Sequence, residues 1–166
     1  FTVWYWNLIR NQQVPDEAIR AKVRELVEGC RNETERIREI HDFVTNGIRY
    51  VAWEFGVHGY QPYSVTQIFQ RRFGDCKDKA LLMCVMMKEA GIEARPVLIF
   101  AEDQRGHLEL PFPLVERFNH CITGVLRPGG EVHYLDGTAT FHGMNTLPAM
   151  DQGAPVLVID ERGGEI

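Results

Sequence analysis

The chain has 166 residues, 45% of them hydrophobic and 25% charged, which suits one globular domain with a full hydrophobic core. A formal charge of -5 and an isoelectric point near 5.7 leave no surplus of Lys and Arg to neutralise phosphates, so nucleic acid and an acidic membrane surface are not the expected partners. The longest apolar run, around 80–87, is far too short to span a bilayer, so this domain is expected not to insert into a membrane.

An aromatic lead-in with Phe1, Trp4, Tyr5 and Trp6 opens the sequence without an initiator Met or a signal-peptide pattern. The expectation is one domain over 1–166, excised from a longer protein with flanking domains, with 1–14 as lead-in. Pro15, Asp16 and Glu17 then open a helix, because Ile19, Val23, Leu26, Val27 and Cys30 recur at helical spacing and acids favour its first turn. Gly29 ends it. Asn32 followed by Glu35 resembles a capping box for a second helix, with Ile37, Ile40, Phe43 and Val44 on one face. Residues 48–53 alternate like a short strand, and 54–64, rich in Gly and aromatics, form a loop. The stretch 75–90 has almost no polar face after its first turn and a half, so it is a buried helix, stopped by Gly91. Strands are expected at 94–100, 119–126 and 131–136, with Gly129 and Gly130 in the turn between the last two. Helices first and strands second give an α+β domain, with a buried helix packed on an antiparallel sheet.

The buried helix begins at a cysteine. A thiol is a useful nucleophile only as thiolate, and a helix start lowers its pKa through unpaired backbone N–H groups. Asp75 suits the N-cap and Cys76 the first helical position. The dipole moves a pKa by only about one unit, so a cationic partner is needed as well. Lys77 and Lys79 are nearby in sequence, but side chains at consecutive helical positions diverge, so an imidazolium delivered by the fold is the better candidate. His120 heads one predicted strand and Asp136 ends the next. In a hairpin the paired positions have a constant residue sum, and His120 lies directly opposite Asp136 when that sum is 256. A sum of 257 would put the two on opposite faces. His133, an odd number of residues from Asp136, should point away from the site.

The run Arg72, Phe73, Gly74, Asp75, Cys76, Lys77, Asp78, Lys79, Ala80, the Gly-Ile-Glu-Ala-Arg-Pro-Val segment at 91–97, Asn119 with His120, and Tyr134-Leu135-Asp136-Gly137-Thr138 resemble the bacterial transglutaminase-like superfamily. The likeness covers about 37–158, the expected core, and is most specific at Gly-Asp-Cys-Lys-Asp-Lys, the type found behind an N-terminal β-sandwich domain in exported bacterial proteins. It implies a papain-like, transglutaminase-core fold and a Cys76, His120, Asp136 triad. The implied chemistry is acyl transfer or hydrolysis at a peptide or side-chain amide through a thioester, as in a cysteine protease, an amidase or a transglutaminase. It implies a peptide or protein substrate and an exported, periplasmic setting. Relatives commonly place a Trp or Gln upstream as oxyanion donor, for which Trp53 and Gln61 are the candidates beside the Cys76 backbone N–H. Asp75, Asp78 and Lys79 are expected to support the site, with Asp78 and Lys79 as an exposed ion pair.

Blander assignments compete. Cys30, Cys84 and Cys121 read as core, and four cysteines without CxxC spacing make neither a disulfide framework nor a zinc knuckle. Tyr60, Tyr63 and Trp53 could line a groove or simply pack. Zinc held by Cys76, His120 and Asp136 is chemically possible, but the helix start suits a nucleophile better, and no calcium loop or other metal motif is visible, so no cofactor is expected. A catalytically silent peptide- or glycan-binding module, and an acyltransferase using thioester donors like the arylamine acetyltransferases, are the alternatives.

Overall fold

Residues 1–102 and 118–161 are described by a computed structural model, in which helices lead and strands follow. The lead-in is itself helical. Helix α1 (Thr2–Ile9) buries Tyr5 and Ile9, and the Phe1 ring stacks on Phe118 at 5.9 Å. Helix α2 (Glu17–Val27) is capped by Asp16, whose carboxylate accepts from Ile19 N–H at 3.0 Å, and buries Ile19 and Val23. Helix α3 (Glu33–Gly47) is capped by Asn32, which accepts from Glu35 N–H at 2.9 Å. Glu35 reaches back to the Arg31 N–H at 2.7 Å, not to that of Asn32, so the expected capping box is displaced by one residue.

The strand expected at 48–53 shrinks to β1 (Arg49–Tyr50), which pairs in parallel with β2 (Phe73–Gly74). Between them stands a helix the sequence pattern did not reveal, α4 (Val65–Arg71), capped by Ser64 and ended by Arg72 in a left-handed conformation at φ 58°. Helix α5 (Cys76–Glu89) is buried along nearly its whole length, with Leu82, Met83, Met86 and Met87 fully enclosed. An apolar surface all round requires neighbours on every side. The sheet covers one side of α5, and α2, α3 and α4 pack on others.

The sheet has strands β3 (Ala94–Ile99), β4 (His120–Leu126), β5 (Val132–Leu135) and β6 (Val156–Val158), in the order β5-β4-β3-β6 with every pairing antiparallel. The α+β expectation therefore holds, and β6 is an addition to it. Cys121, Thr123 and Val125 face α5: the Thr123 hydroxyl donates to the Ala80 carbonyl at 3.3 Å, and Cys84 and Cys121 are buried among these residues. Ile122, Val97 and Ile99 build a smaller cluster on the opposite face with Val156 and Val158. The four cysteines are free thiols.

The β4–β5 register corrects the hairpin expectation. Thr123 pairs with Leu135 and Leu126 with Val132, a residue sum of 258 rather than 256. Gly129 and Gly130, at φ 92° and 88°, allow the longer turn. The extra two residues keep the parity, so His120 and Asp136 still share a face, as diagonal rather than opposite neighbours.

Candidate functional site

The start of α5 is a closed set of buried charges. Asp75, Lys77, Asp78 and Lys79 are 2%, 6%, 1% and 1% exposed, so the expected exposed ion pair between Asp78 and Lys79 is not there. Asp78 instead binds Arg71 at 2.7 Å and accepts from the Tyr63 N–H at 2.9 Å. Asp75 and Asp78 each accept from the other's backbone N–H, completing a capping box. Burial and the neighbouring Asp75 charge push Asp78 above the usual carboxylate value, against the pull of the Tyr63 N–H and Arg71. Lys77 pairs with Asp75, with Glu54 3.8 Å away. Lys79 reaches across to the end of α3, donating to the carbonyls of Thr45, at 3.1 Å, and Ile48. An ammonium on orphan carbonyls caps that helix. Burial pulls the pKa of Lys79 down to about 8, partly offset by the charge of Asp136. Gly74 is needed because a Cβ there would lie 2.6 Å from the Asp78 Cβ. Nearly every residue of the Gly-Asp-Cys-Lys-Asp-Lys run is thus accounted for by structure; only Cys76 faces a cavity without a charge partner of its own on the helix.

The strands supply that partner. The Asn119 side chain accepts from the Ala101 N–H at 2.7 Å and donates to its carbonyl at 3.0 Å, pinning the end of β4 where His120 begins. His120 Nε2 is 3.2 Å from Asp136 Oδ2. Asp136 is buried and also accepts from the Thr138 N–H and hydroxyl, each at 2.8 Å. Burial alone would lower the pKa of His120, but hydrogen bonding to Asp136 and to Cys76 outweighs it and raises the ring to about 10. Against burial, the hydrogen bond and charge of His120 and the bonds from Thr138 hold Asp136 below the ordinary carboxylate range. With Nε2 engaged by Asp136, Nδ1 is the ring nitrogen left for the sulfur. Cys76, His120 and Asp136 are therefore brought together in the order in which the sequence lists them. His133, as expected, turns elsewhere, to the Met144 carbonyl at 2.8 Å.

Cys76 and His120 border a cavity of about 280 Å³ whose other walls include Tyr5, Tyr60, Leu98 and Phe118. His120 and Asn119 also border a second cavity, with Asp136, Thr138 and Tyr50. The two upstream candidates do not line either. The Gln61 amide is committed to the Leu8 carbonyl at 2.8 Å, and Trp53, 53% exposed, stacks on Phe73. Tyr63 packs between the His58 ring and the Arg71 guanidinium, whereas Tyr60 does line the Cys76 cavity. Two residues that the sequence did not single out join the site. Tyr50 is one. Asp151 is the other: its carboxylate, the Asp136 carboxylate and a His120 ring nitrogen lie within 4.8 Å of one another, so among the described residues these three could hold a metal ion, with Asp151 in the place once considered for Cys76. A cation there would engage the groups that orient the ring, and so would oppose a thiol reaction rather than serve one.

The fold has relatives among known proteins. The family model described as the transglutaminase-like superfamily matches residues 20–135. No curated protein sequence matches the chain. Among solved structures, a candidate protease from Parabacteroides distasonis superposes with a TM-score of 0.67 at 16% identity, over 93% of this chain and 28% of that one. A candidate cysteine protease from Cytophaga hutchinsonii gives 0.55 at 18% identity, over 77% and 41%. The periplasmic domain of TgpA from Pseudomonas aeruginosa gives 0.52 at 21% identity, over 84% and 47%. The chain thus spans less than half the length of each, and at these identities the likeness is one of fold. With the family model covering more than half of the chain, the protein belongs to the transglutaminase-like superfamily.

Proposed function

We propose that the domain performs thiol-dependent acyl transfer or hydrolysis at an amide of a peptide, with Cys76 as nucleophile, His120 as acid and base, and Asp136 holding the ring. The observation that carries this is one imidazole shared between a buried carboxylate and a thiol at a helix start. A ring with a pKa near 10 is an imidazolium at neutral pH, and a cation beside a thiol favours the thiolate. The sulfur lone pair would form a bond to the carbonyl carbon, and the His120 proton would pass to the departing amine nitrogen, leaving a thioester. The neutral ring then takes a proton from water or an amine, which attacks the thioester and releases the thiolate. Asp136 keeps the ring in the tautomer that presents Nδ1 and stabilises its charged form.

The cavity beside Cys76 is walled by Tyr5, Tyr60, Leu98 and Phe118 together with Glu54, Lys77 and Asn119, a mixed lining that suits a peptide, with apolar surface for a side chain and polar groups for its backbone. An exported protein is the setting we infer, since one structural relative is a periplasmic domain. Iodoacetamide tests the core of the proposal. Cys76 should be alkylated near neutral pH well ahead of Cys30, Cys84 and Cys121, and Cys76→Ala should remove that reactivity. Equal labelling of all four thiols would replace the enzyme with a silent binding module.

A further inference from the structure

The second oxyanion donor has no occupant among the residues the sequence singled out, and the fold offers one. Strands β1 and β2 form a two-residue parallel ladder in which Tyr50 is the partner of Gly74, with the Arg49 N–H donating to Arg72 and the Val51 N–H to Gly74, each at 2.9 Å. This ladder holds Tyr50 beside the segment that enters α5, two residues before Cys76. N–H groups at a helix start point outward along the axis, towards the entering segment, and the N–H of Cys76 at the first helical position has no partner within the helix. Tyr50 lines a cavity with Asn119, His120 and Asp136, and Asn119 and His120 also border the cavity onto which Cys76 opens.

Burial first, then the charges of Cys76, Asp75, Glu54 and Asp136 in that order, push the Tyr50 phenol up to about 12. It therefore keeps its proton at working pH and is available as a donor. Of the charges acting on it, the one at Cys76 is the strongest, and that is the charge which moves to the carbonyl oxygen when the sulfur attacks. A second phenol, that of Tyr5, also reaches the Cys76 cavity. Burial is the main cause of its raised pKa, followed by Cys121 and then Cys76, and Tyr5 is carried by α1 rather than by the ladder that enters α5.

We propose that Tyr50 donates a hydrogen bond to the oxyanion, as the second donor beside the backbone N–H of Cys76. The proposal rests on the thioester chemistry inferred for this site. As the C–S bond forms, the carbonyl π pair moves onto oxygen, where hydrogen bonds from the Cys76 N–H and the Tyr50 O–H would stabilise it. As the C–N bond breaks, that pair returns to the carbonyl. Tyr50 keeps its proton throughout, and the proton gained by the amine is that of His120.

Two reactions of the same sulfur test this. Acylation by p-nitrophenyl acetate passes through an oxyanion, whereas alkylation by iodoacetamide displaces iodide at a saturated carbon and does not. With Cys76→Ala as the blank, Tyr50→Phe should slow acylation by about 100-fold, mainly in kcat, and leave alkylation within about twofold of wild type. Tyr50→Trp, which restores an N–H donor, should recover part of the loss. Acylation by Tyr50→Phe within about threefold of wild type, an equal fall in both reactions, or a loss that follows Tyr5→Phe instead, would overturn the role of Tyr50. A wild-type protein with no Cys76-dependent acylation would overturn the thioester chemistry itself, a result distinct from all of these.

Discussion

Two regions meet at the sulfur and are built on opposite plans. The entry to α5 is a network of buried charges, in which Asp75, Lys77, Asp78 and Lys79 each bind a neighbour in the same turn or a backbone group of α3 or the loop before α4. The strand corner is sparser: one ring, the carboxylates of Asp136 and Asp151, and the Thr138 that steadies Asp136. The difference teaches that charged residues around a proposed nucleophile need not be reagents. The dense region makes the helix start rigid, and the sparse one leaves a titratable group with a free nitrogen beside the thiol.

The largest effect should come from breaking the dense region. Asp78→Ala removes the acceptor of the Arg71 pair, of the Tyr63 N–H and of the capping box at once, and should cost about 3 to 5 kcal/mol in a urea melt. Asp136→Asn keeps the shape of the strand corner and removes its charge, so it should cost less, about 1.5 to 3 kcal/mol. Its signature is the pH dependence. Folding raises His120 from 6.5 to about 10, so the contribution of the ring is complete below 6.5 and is lost as the pH rises through about 10. Asp136, held below its ordinary 3.8, contributes above that value and loses its share as the pH falls through its lowered pKa. In Asp136→Asn the alkaline decline should begin at lower pH, and amide turnover, which in the proposed mechanism uses the His120 proton, should lose its alkaline side with it. A variant less stable than Asp78→Ala, with an unmoved alkaline limb, would erase the contrast between the two regions.

The same contrast explains what the sequence revealed. Cys76 and Asp75 were legible because a cap followed by an apolar helix is a local pattern, and His120 and Asp136 because strand parity survives a shift of two residues. The partners of the buried charges were not legible, since Lys79 finds Thr45 and Ile48 across 34 and 31 residues of chain. Tyr50 was hidden for a similar reason: its position depends on a parallel contact of only two residue pairs. Helix α1 was hidden by its own composition, because Thr2–Ile9 carries aromatics on several sides and shows no clean apolar stripe. Helix α4 is seven residues long, too short for periodicity to emerge.

A finer probe of the dense region is Lys79→Met, which keeps the length and apolar stem but strips the cap from the end of α3. About 1 to 2 kcal/mol should be lost, because two hydrogen bonds from a charged donor go while the cost of burying that charge also goes. Iodoacetamide should still find Cys76 first, since the ammonium serves α3 and not the sulfur. A fall in Cys76 labelling to the level of Cys84, with little change in the melt, would make Lys79 a reagent and blur the line between the two regions.

The smallest effect belongs to the turn that sets the β4–β5 register. A Cβ at Gly130 would meet nothing within 4 Å, so Gly130→Ala tests backbone conformation alone. At φ 88° an alanine is strained, and the cost should be about 1 kcal/mol. The pairing of Thr123 with Leu135 is held independently by Leu135, 1% exposed in the main core, so the register should survive and Cys76 acylation should stay near wild type. Loss of acylation out of proportion to that small destabilisation would mean that the turn, and not the core, keeps His120 diagonal to Asp136. The strand corner would then slip by a residue as easily as it melts, because one step of register carries Asp136 to the other face of the sheet.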